Sequence, residues 1–165
     1  MKVAVIMGSK SDFEVVKPCL AALDKFGVAY TARVISAHRT PDAAHAFASS
    51  AVKEGYEVII GVAGKAAHLA GVLAACTPLP VIALPVQTSL AGGLDSLLSM
   101  VQMPSGIPVA TVGINAGENA GLLAVQMLSL KYPALQEKLV AYKKEMQEKI
   151  ERDDAELQKT LQNKS

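Results

Sequence analysis

The sequence predicts an α/β fold of three layers, a parallel sheet of about five strands between two layers of helices, with a long helix closing the chain. Three observations carry this. Short, nearly continuous apolar runs such as Val3-Ala4-Val5-Ile6-Met7 and Val58-Ile59-Ile60-Gly61-Val62 have the composition of strands buried on both faces. Helix-length segments with their own start and stop signals separate those runs, an order that winds right-handed into a parallel sheet. The length of 165 residues, 51% hydrophobic and 19% charged, suits one domain and leaves no room for two of ordinary size.

In chain order, the first strand covers residues 2–7 and stops at Gly8. Ser11-Asp12-Phe13-Glu14 has the form of a capping box, so a helix is expected from there to Gly27, with Pro18 inside it as a possible bend. Residues 29–35 form the second strand. Thr40 as cap and Pro41 at the first helical position then open a helix ending near Gly55. The third strand spans 58–62, an Ala-rich helix 67–76, and the fourth strand 80–84. A loop through Gly92-Gly93 leads to a helix over 95–101, a fifth strand over 109–114, and helices over 118–130 and 133–162. Residues 1–132 are thus the α/β domain that carries the chemistry, and 133–165 its helical extension. On that extension Leu135, Leu139, Tyr142, Met146, Ile150, Leu157 and Leu161 lie on or near one stripe, suited to packing over its own or a neighbouring subunit. The pattern is flavodoxin-like or Rossmann-like. In such sheets ligands bind beyond the carboxyl ends of the strands, so the loops after the first three strands should converge on one site.

Charge is unevenly spread. Residues 1–135 hold seventeen of the thirty-one Lys, Arg, Asp and Glu, and residues 58–130 have only Lys65, Asp95 and Glu118. A soluble surface normally carries about a quarter or more charged residues, so other subunits are expected to cover part of that window. Lipid is not the cover, because Gly and Pro cut every apolar run well short of the ~20 residues a span requires. No signal-peptide pattern is present, and the expected location is the cytoplasm. A net charge of +1 without a basic cluster, and seven aromatics without Trp, argue against nucleic acid. Cys19 and Cys76 lack metal spacing and are read as reduced, buried thiols. His45, mid-helix among alanines, is read as structural or solvent-facing.

The polar residues of the first half collect in the loops. Gly8-Ser9-Lys10-Ser11-Asp12 runs from a strand end into a helix start, where amides, hydroxyls and the helix dipole form a phosphate cradle, although capping alone also explains the serines. Asp12 suits the dipole or the hydroxyls of a sugar. Ser36-Ala37-His38-Arg39-Thr40-Pro41 offers an imidazole for proton transfer and a guanidinium for phosphate or carboxylate. Ala63-Gly64-Lys65-Ala66-Ala67-His68 lets backbone approach a ligand closely and adds a second His. The sequence has no Walker loop, GxGxxG, metal-spaced cluster or Gly-x-Ser-x-Gly elbow. What remains is acid/base work on a small phosphorylated substrate without cofactor or metal.

Seven segments in order, Gly8-Ser9-Lys10-Ser11-Asp12, Ser36-Ala37-His38-Arg39-Thr40-Pro41, Ala66-Ala67-His68-Leu69, Leu79-Pro80-Val81-Ile82, the run from Gly93-Leu94-Asp95-Ser96 to Gln102-Met103-Pro104, Gly106-Ile107-Pro108-Val109-Ala110-Thr111 and Asn119-Ala120-Gly121-Leu122, resemble the 5-(carboxyamino)imidazole ribonucleotide mutases of purine biosynthesis. The resemblance covers about residues 2–130. It implies a homo-octamer that moves a carboxylate from the exocyclic nitrogen of an imidazole ribotide to ring C4, with no ATP, biotin or metal. It also implies that Ser9, Ser11 and Arg39 hold the ribotide phosphate, with Gly8 and Ser36 beside them, that Asp12 lies near the ribose, and that His38 is catalytic. The stretch Gly64, Lys65, Ala66, His68 and Leu69 matches a loop closing over the base. In that loop the mutase pattern Gly-Ala-Gly-Gly-Ala-Ala-His-Leu-Pro-Gly is replaced by Val62-Ala63-Gly64-Lys65-Ala66-Ala67-His68-Leu69-Ala70-Gly71. Lys65 is similar to the cation that related direct carboxylases carry there. Direct carboxylation of aminoimidazole ribonucleotide with free carbon dioxide is therefore the first alternative, a flavodoxin-like nucleotide-binding module the second, and a non-catalytic assembly protein the third.

Overall fold

The computed structural model describes residues 1–162. Its sheet contains β1 (Lys2–Met7), β2 (Ala29–Val34), β3 (Val58–Ala63), β4 (Val81–Pro85) and β5 (Ala110–Thr111), all paired in parallel in the order β2-β1-β3-β4-β5. That is the flavodoxin-like order, which reverses direction between β1 and β3 and leaves a crevice there. The helices are α1 (Phe13–Phe26), α2 (Pro41–Ser50), α3 (Leu69–Ala75), α4 (Leu94–Val101), α5 (Gly117–Ser129) and α6 (Pro133–Gln162).

Side-chain alternation along the strands divides the core into two layers. Val3 and Val5 of β1, Val58, Ile60 and Val62 of β3, and Ile82 and Leu84 of β4 pack with Val16, Leu23, Ala120, Ala124 and Leu128, under α1, α5 and the start of α6. Ala4, Ile6, Ile59, Val81 and Ala83 pack with Ala44, Phe47, Leu69, Leu73 and Met100, under α2, α3 and α4. Both faces of β1, β3 and β4 are thereby buried, which accounts for their unbroken apolar runs. The edge strand β2 is largely exposed, with Val34 at 53%.

Several boundaries differ from those expected. The capping box lies two residues earlier than Ser11: Ser9 caps a single 3-10 turn over Lys10–Asp12, its Oγ accepts from Ser11 N, and Asp12 Oδ2 accepts from Ser9 N at 3.1 Å. Glu14 instead forms an ion pair with Lys17. Thr40 makes no side-chain cap bond. Its hydroxyl turns back, donating to Ser36 O at 2.9 Å and accepting from Ser36 N at 3.0 Å. Helix α2 ends at Ser50, whose hydroxyl bonds back to Phe47 O, and turns continue to Gly55 at φ 81°. The fifth strand shrinks to two paired residues, although Val112 N still donates to Ala83 O at 3.0 Å, and the chain turns at Asn115, φ 56°.

Along α6, Leu135 is buried and Leu139 and Tyr142 lie against the core, whereas Met146, Ile150, Leu157 and Leu161 are exposed. The stripe is therefore used by the domain only over its first turns. Cys19 is fully buried, and burial pushes its thiol up to about 12, which keeps it inert. Cys76 is half-buried rather than buried, and His45 is exposed. Among the described residues, no helix is long and apolar enough to cross a membrane.

Candidate functional site

The loops at the carboxyl ends of β1, β2, β3 and β4 surround a cleft of about 680 Å³. Gly8, Ser9, Ser11, Asp12, Ser36, His38, Arg39, Gly64, Lys65, Ala66, His68 and Leu69 all line it. The structure thus brings every candidate residue into one place.

At the β1 end, Gly8 N donates to Val62 O at 2.9 Å, which fixes the loop as it leaves the sheet. Ser9 and Ser11 follow with their hydroxyls 2.9 Å apart, and Ser11 Oγ lies 3.3 Å from Asp12 Oδ1. The two hydroxyls stand at the N-terminal end of α1, where helix amides and the dipole favour an anion. Arg39 crosses from the next loop. Its Nη2 donates to Gly8 O at 2.9 Å and its Nε to Ser36 Oγ at 3.3 Å, while its own N–H donates to the same Oγ at 3.2 Å. Ser36 therefore acts as the pivot that aims the guanidinium at the cradle.

Asp12 is buried beneath this group. Burial raises its carboxyl above the usual carboxylate range, against the hydrogen bonds from Ser11 and Ser9 and the charge of Arg39, which pull it down. A folded-state pKa above the unfolded value means that this group's contribution to stability is fully present below the unfolded pKa and is lost as pH rises through the folded one. At neutral pH the charge works against the fold. Asp12→Asn, which keeps an acceptor for Ser9 N, is accordingly expected to raise the thermal midpoint at pH 7, with the gain shrinking on acidification. A lower midpoint at pH 7 would show that Arg39 and the hydrogen bonds outweigh burial.

The most informative contact joins residues thirty positions apart. His38 Nε2 and His68 Nδ1 are 3.0 Å apart, with ring planes at 88°. One of those nitrogens must carry a proton and the other a lone pair, so each ring fixes the tautomer of the other. The His38 Nδ1 edge is left for a substrate. The third loop supports this arrangement: His68 sits at the start of α3 without capping it, and Lys65 just before it has φ 59°.

The fourth wall, Val86, Gln87, Thr88 and Ser89, follows β4 and was not among the expected site residues. The same carboxyl-end argument that selected the first three loops applies to it, and the polar triplet directly after a buried strand was the available signal. It is held firmly. Gln87 N donates to Asn115 Oδ1 at 2.9 Å and Asn115 Nδ2 to Gln87 Oε1 at 3.2 Å, while Thr88 Oγ1 donates to Asp95 Oδ1 and buried Ser96 to Val86 O.

Comparison with known proteins gives consistent results. Residues 2–149 match the family model described as AIR carboxylase. An N5-carboxyaminoimidazole ribonucleotide mutase of Pyrococcus abyssi is 56% identical over 145 residues, 88% of this chain and 83% of that protein. The mutase of the same name from Mycobacterium tuberculosis is 52% identical over 158 residues, 96% of this chain and 91% of that protein. The crystal structure of Treponema denticola PurE superposes with a TM-score of 0.85 at 30% identity, covering 94% of this chain and 98% of that one.

Proposed function

The chain belongs to the AIR carboxylase family, and from that membership we propose that it is the isomerase of purine biosynthesis that moves the carboxylate of 5-carboxyamino-1-(5-phosphoribosyl)imidazole from the exocyclic nitrogen to ring C4. The observation that carries this reading is the histidine pair at 3.0 Å, which lines one cleft together with a cradle of two serines and an arginine. The likeness to the mutases extends over 88–96% of the chain and favours this reaction over direct carboxylation.

A proton given and then retrieved is sufficient chemistry. Protonation of the carbamate nitrogen breaks the N–C bond and releases carbon dioxide and the neutral amine. Ring C4, made nucleophilic by that amine, attacks the gas, and removal of the C4 proton restores aromaticity. His38 first donates and then accepts, so the enzyme ends as it began. The walls of Gly64, Ala66 and Leu69 keep the gas beside C4 and exclude water. Ser9, Ser11 and Arg39 hold the phosphate, with Gly8 and Ser36 placing them, and Asp12 faces the ribose hydroxyls. The deciding assay measures product separately from the carboxyamino isomer and from aminoimidazole ribonucleotide plus bicarbonate. Efficient turnover only with the second pair would make the enzyme a direct carboxylase.

Arg39→Ala is expected to raise KM about 10- to 100-fold, the loss of one charge-assisted contact, with kcat largely kept. Arg39→Lys should restore only part of the loss, because an ammonium cannot span Gly8 O, Ser36 Oγ and a phosphate together. A fall in kcat equal to the rise in KM would instead assign Arg39 to the chemical step.

This reading also includes a homo-octamer and a cytoplasmic location. Leu94, Leu98 and Val101, spaced along one face of α4 and 45–50% exposed, together with Leu90 before it, support the oligomer, and the unpaired cysteines suit a reducing compartment. Sedimentation equilibrium should give eight times 17.2 kDa, and a monomer would remove the octamer from the reading.

A further inference from the structure

Resting on the mutase reading, we propose that Lys65 is a specificity-determining residue whose ammonium pairs with the carboxylate of the ribotide. Two independent observations meet at this residue. Its backbone has φ 59°, a left-handed conformation that a side chain with a Cβ rarely adopts and that glycine adopts without strain. Strain of this kind persists where the surroundings require the residue, and it clusters at ligand clamps. Second, the side chain is a cation on the wall of the cleft, and among the described residues no carboxylate lies within ion-pair distance of it. A lysine at a strained position on the cleft wall, with no carboxylate beside it, is placed to take its partner from the ligand.

The topology says which part of the ligand. Arg39 follows β2 and reaches the loop after β1, so the phosphate end is occupied by its own cation. Lys65 follows β3, in the loop that also carries His68, whose ring meets the proton carrier His38. A carboxylated phosphoribosyl-imidazole carries two kinds of anion, and the reacting one must lie beside His38, so the cation of the His68 loop is the one available to it.

The chemistry gives this contact a distinctive kinetic signature. The carboxylate is anionic on nitrogen and again on C4, but the released carbon dioxide between them is neutral. An ammonium facing that position therefore holds both ground states more strongly than the intermediate. Removing it weakens binding of the carboxylated ribotides without slowing the chemical step, unlike removal of a proton carrier.

The test is to measure by calorimetry the binding of 5-aminoimidazole ribonucleotide and of its 4-carboxylate to the wild type and to Lys65→Met, Lys65→Arg and Lys65→Gly. Lys65→Met and Lys65→Gly should weaken the 4-carboxylate about 10- to 100-fold and change the carboxylate-free ribotide less than about twofold, and Lys65→Arg should retain most of the discrimination. Turnover by Lys65→Gly should show the rise in KM without a fall in kcat, and its thermal midpoint should be higher than that of the wild type, so misfolding does not obscure the result. Equal weakening of both ribotides, or no weakening of either, would overturn the proposal. A wild type that binds neither ribotide would reject the mutase reading itself, and this proposal with it.

Discussion

His38→Asn is expected to lower kcat by about 10²–10⁴-fold while leaving KM for the ribotide little changed. The size follows from the role. In the proposed mechanism His38 provides the proton that releases carbon dioxide and removes the proton that would otherwise trap the ring in a non-aromatic state, so both halves of the reaction slow together. The proposed function gives the phosphate to the β1 loop and Arg39 rather than to this side chain, so binding should survive. The geometry adds a second arm. Because the pair bond uses His38 Nε2 and His68 Nδ1, and an asparagine amide reaches about as far as a histidine Nδ1, His68→Asn keeps a partner for His38 whereas His68→Leu removes it. The expected order of kcat is wild type, His68→Asn, His68→Leu, His38→Asn, and the pH–rate profile should change shape in the His68→Leu protein, where the tautomer of His38 is no longer fixed. If His38→Asn retained turnover within tenfold of wild type, the proton would have another carrier.

The residues of this site were legible in the sequence because three of its four walls follow immediately from strands that announce themselves. Val3 to Met7 and Val58 to Val62 are apolar at every position because both faces are covered, and the polar residues that follow them at Ser9 and Lys65 stand out against that background, whereas Ser36 follows the exposed edge strand and stands out by the His38-Arg39 pair beside it. Their pairwise geometry was not legible. Nothing local in Ser36-Ala37-His38 or in Ala66-Ala67-His68 states that the two rings meet, since that contact depends on the crossing of β1 between β2 and β3. The capping box was misplaced for a related reason. Ser9 and Ser11 both precede an acidic residue three positions on, and the choice between them was decided by where the loop is tied to Val62, a long-range bond. The fourth loop was missed although the same rule predicts it, and the contraction of the fifth strand was not legible because Val112 and Ile114 are apolar and composition does not show where pairing with β4 stops.

The scarcity of charge in residues 58–130 now has two separate causes. Part of the window is core: Ile59, Ile60, Val62, Ile82 and Leu84 are fully enclosed by the domain itself, with no second subunit needed. Another part is exposed and apolar, the face of α4 with Leu90, and this is the part that supports the proposed oligomer. Composition alone merges the two, because it counts residues without regard to the layer in which they lie.

Gly117→Ala is expected to destabilise the fold by about 3 kcal/mol, the upper end for overpacking a closed contact, and so to lower the thermal midpoint by roughly 6–12 °C for a chain of this length. A Cβ at Gly117 would lie 2.2 Å from the carbonyl oxygen of Val15 in α1, and one at Gly121, a turn later on the same face of α5, would lie 2.7 Å from that of Cys19. Both obstacles are backbone, so no rotamer change relieves them, and the two helices must separate. The consequence reaches the site, because α1 carries the serine cradle at its N-terminal end and its position is set by α5. Gly117→Ala should therefore raise KM for the ribotide along with the loss of stability, whereas kcat, which depends on loops of the opposite layer, should fall less. Gly71→Ala is the matched control. Its Cβ would meet only the end of the Met103 side chain, at 3.1 Å, and a flexible thioether can move aside. Calorimetric unfolding and initial rates on both variants decide the matter: a Gly117→Ala protein as stable as Gly71→Ala would mean that α1 and α5 are not locked by this contact, and an unchanged KM in a destabilised Gly117→Ala would mean that the cradle is positioned by the sheet alone.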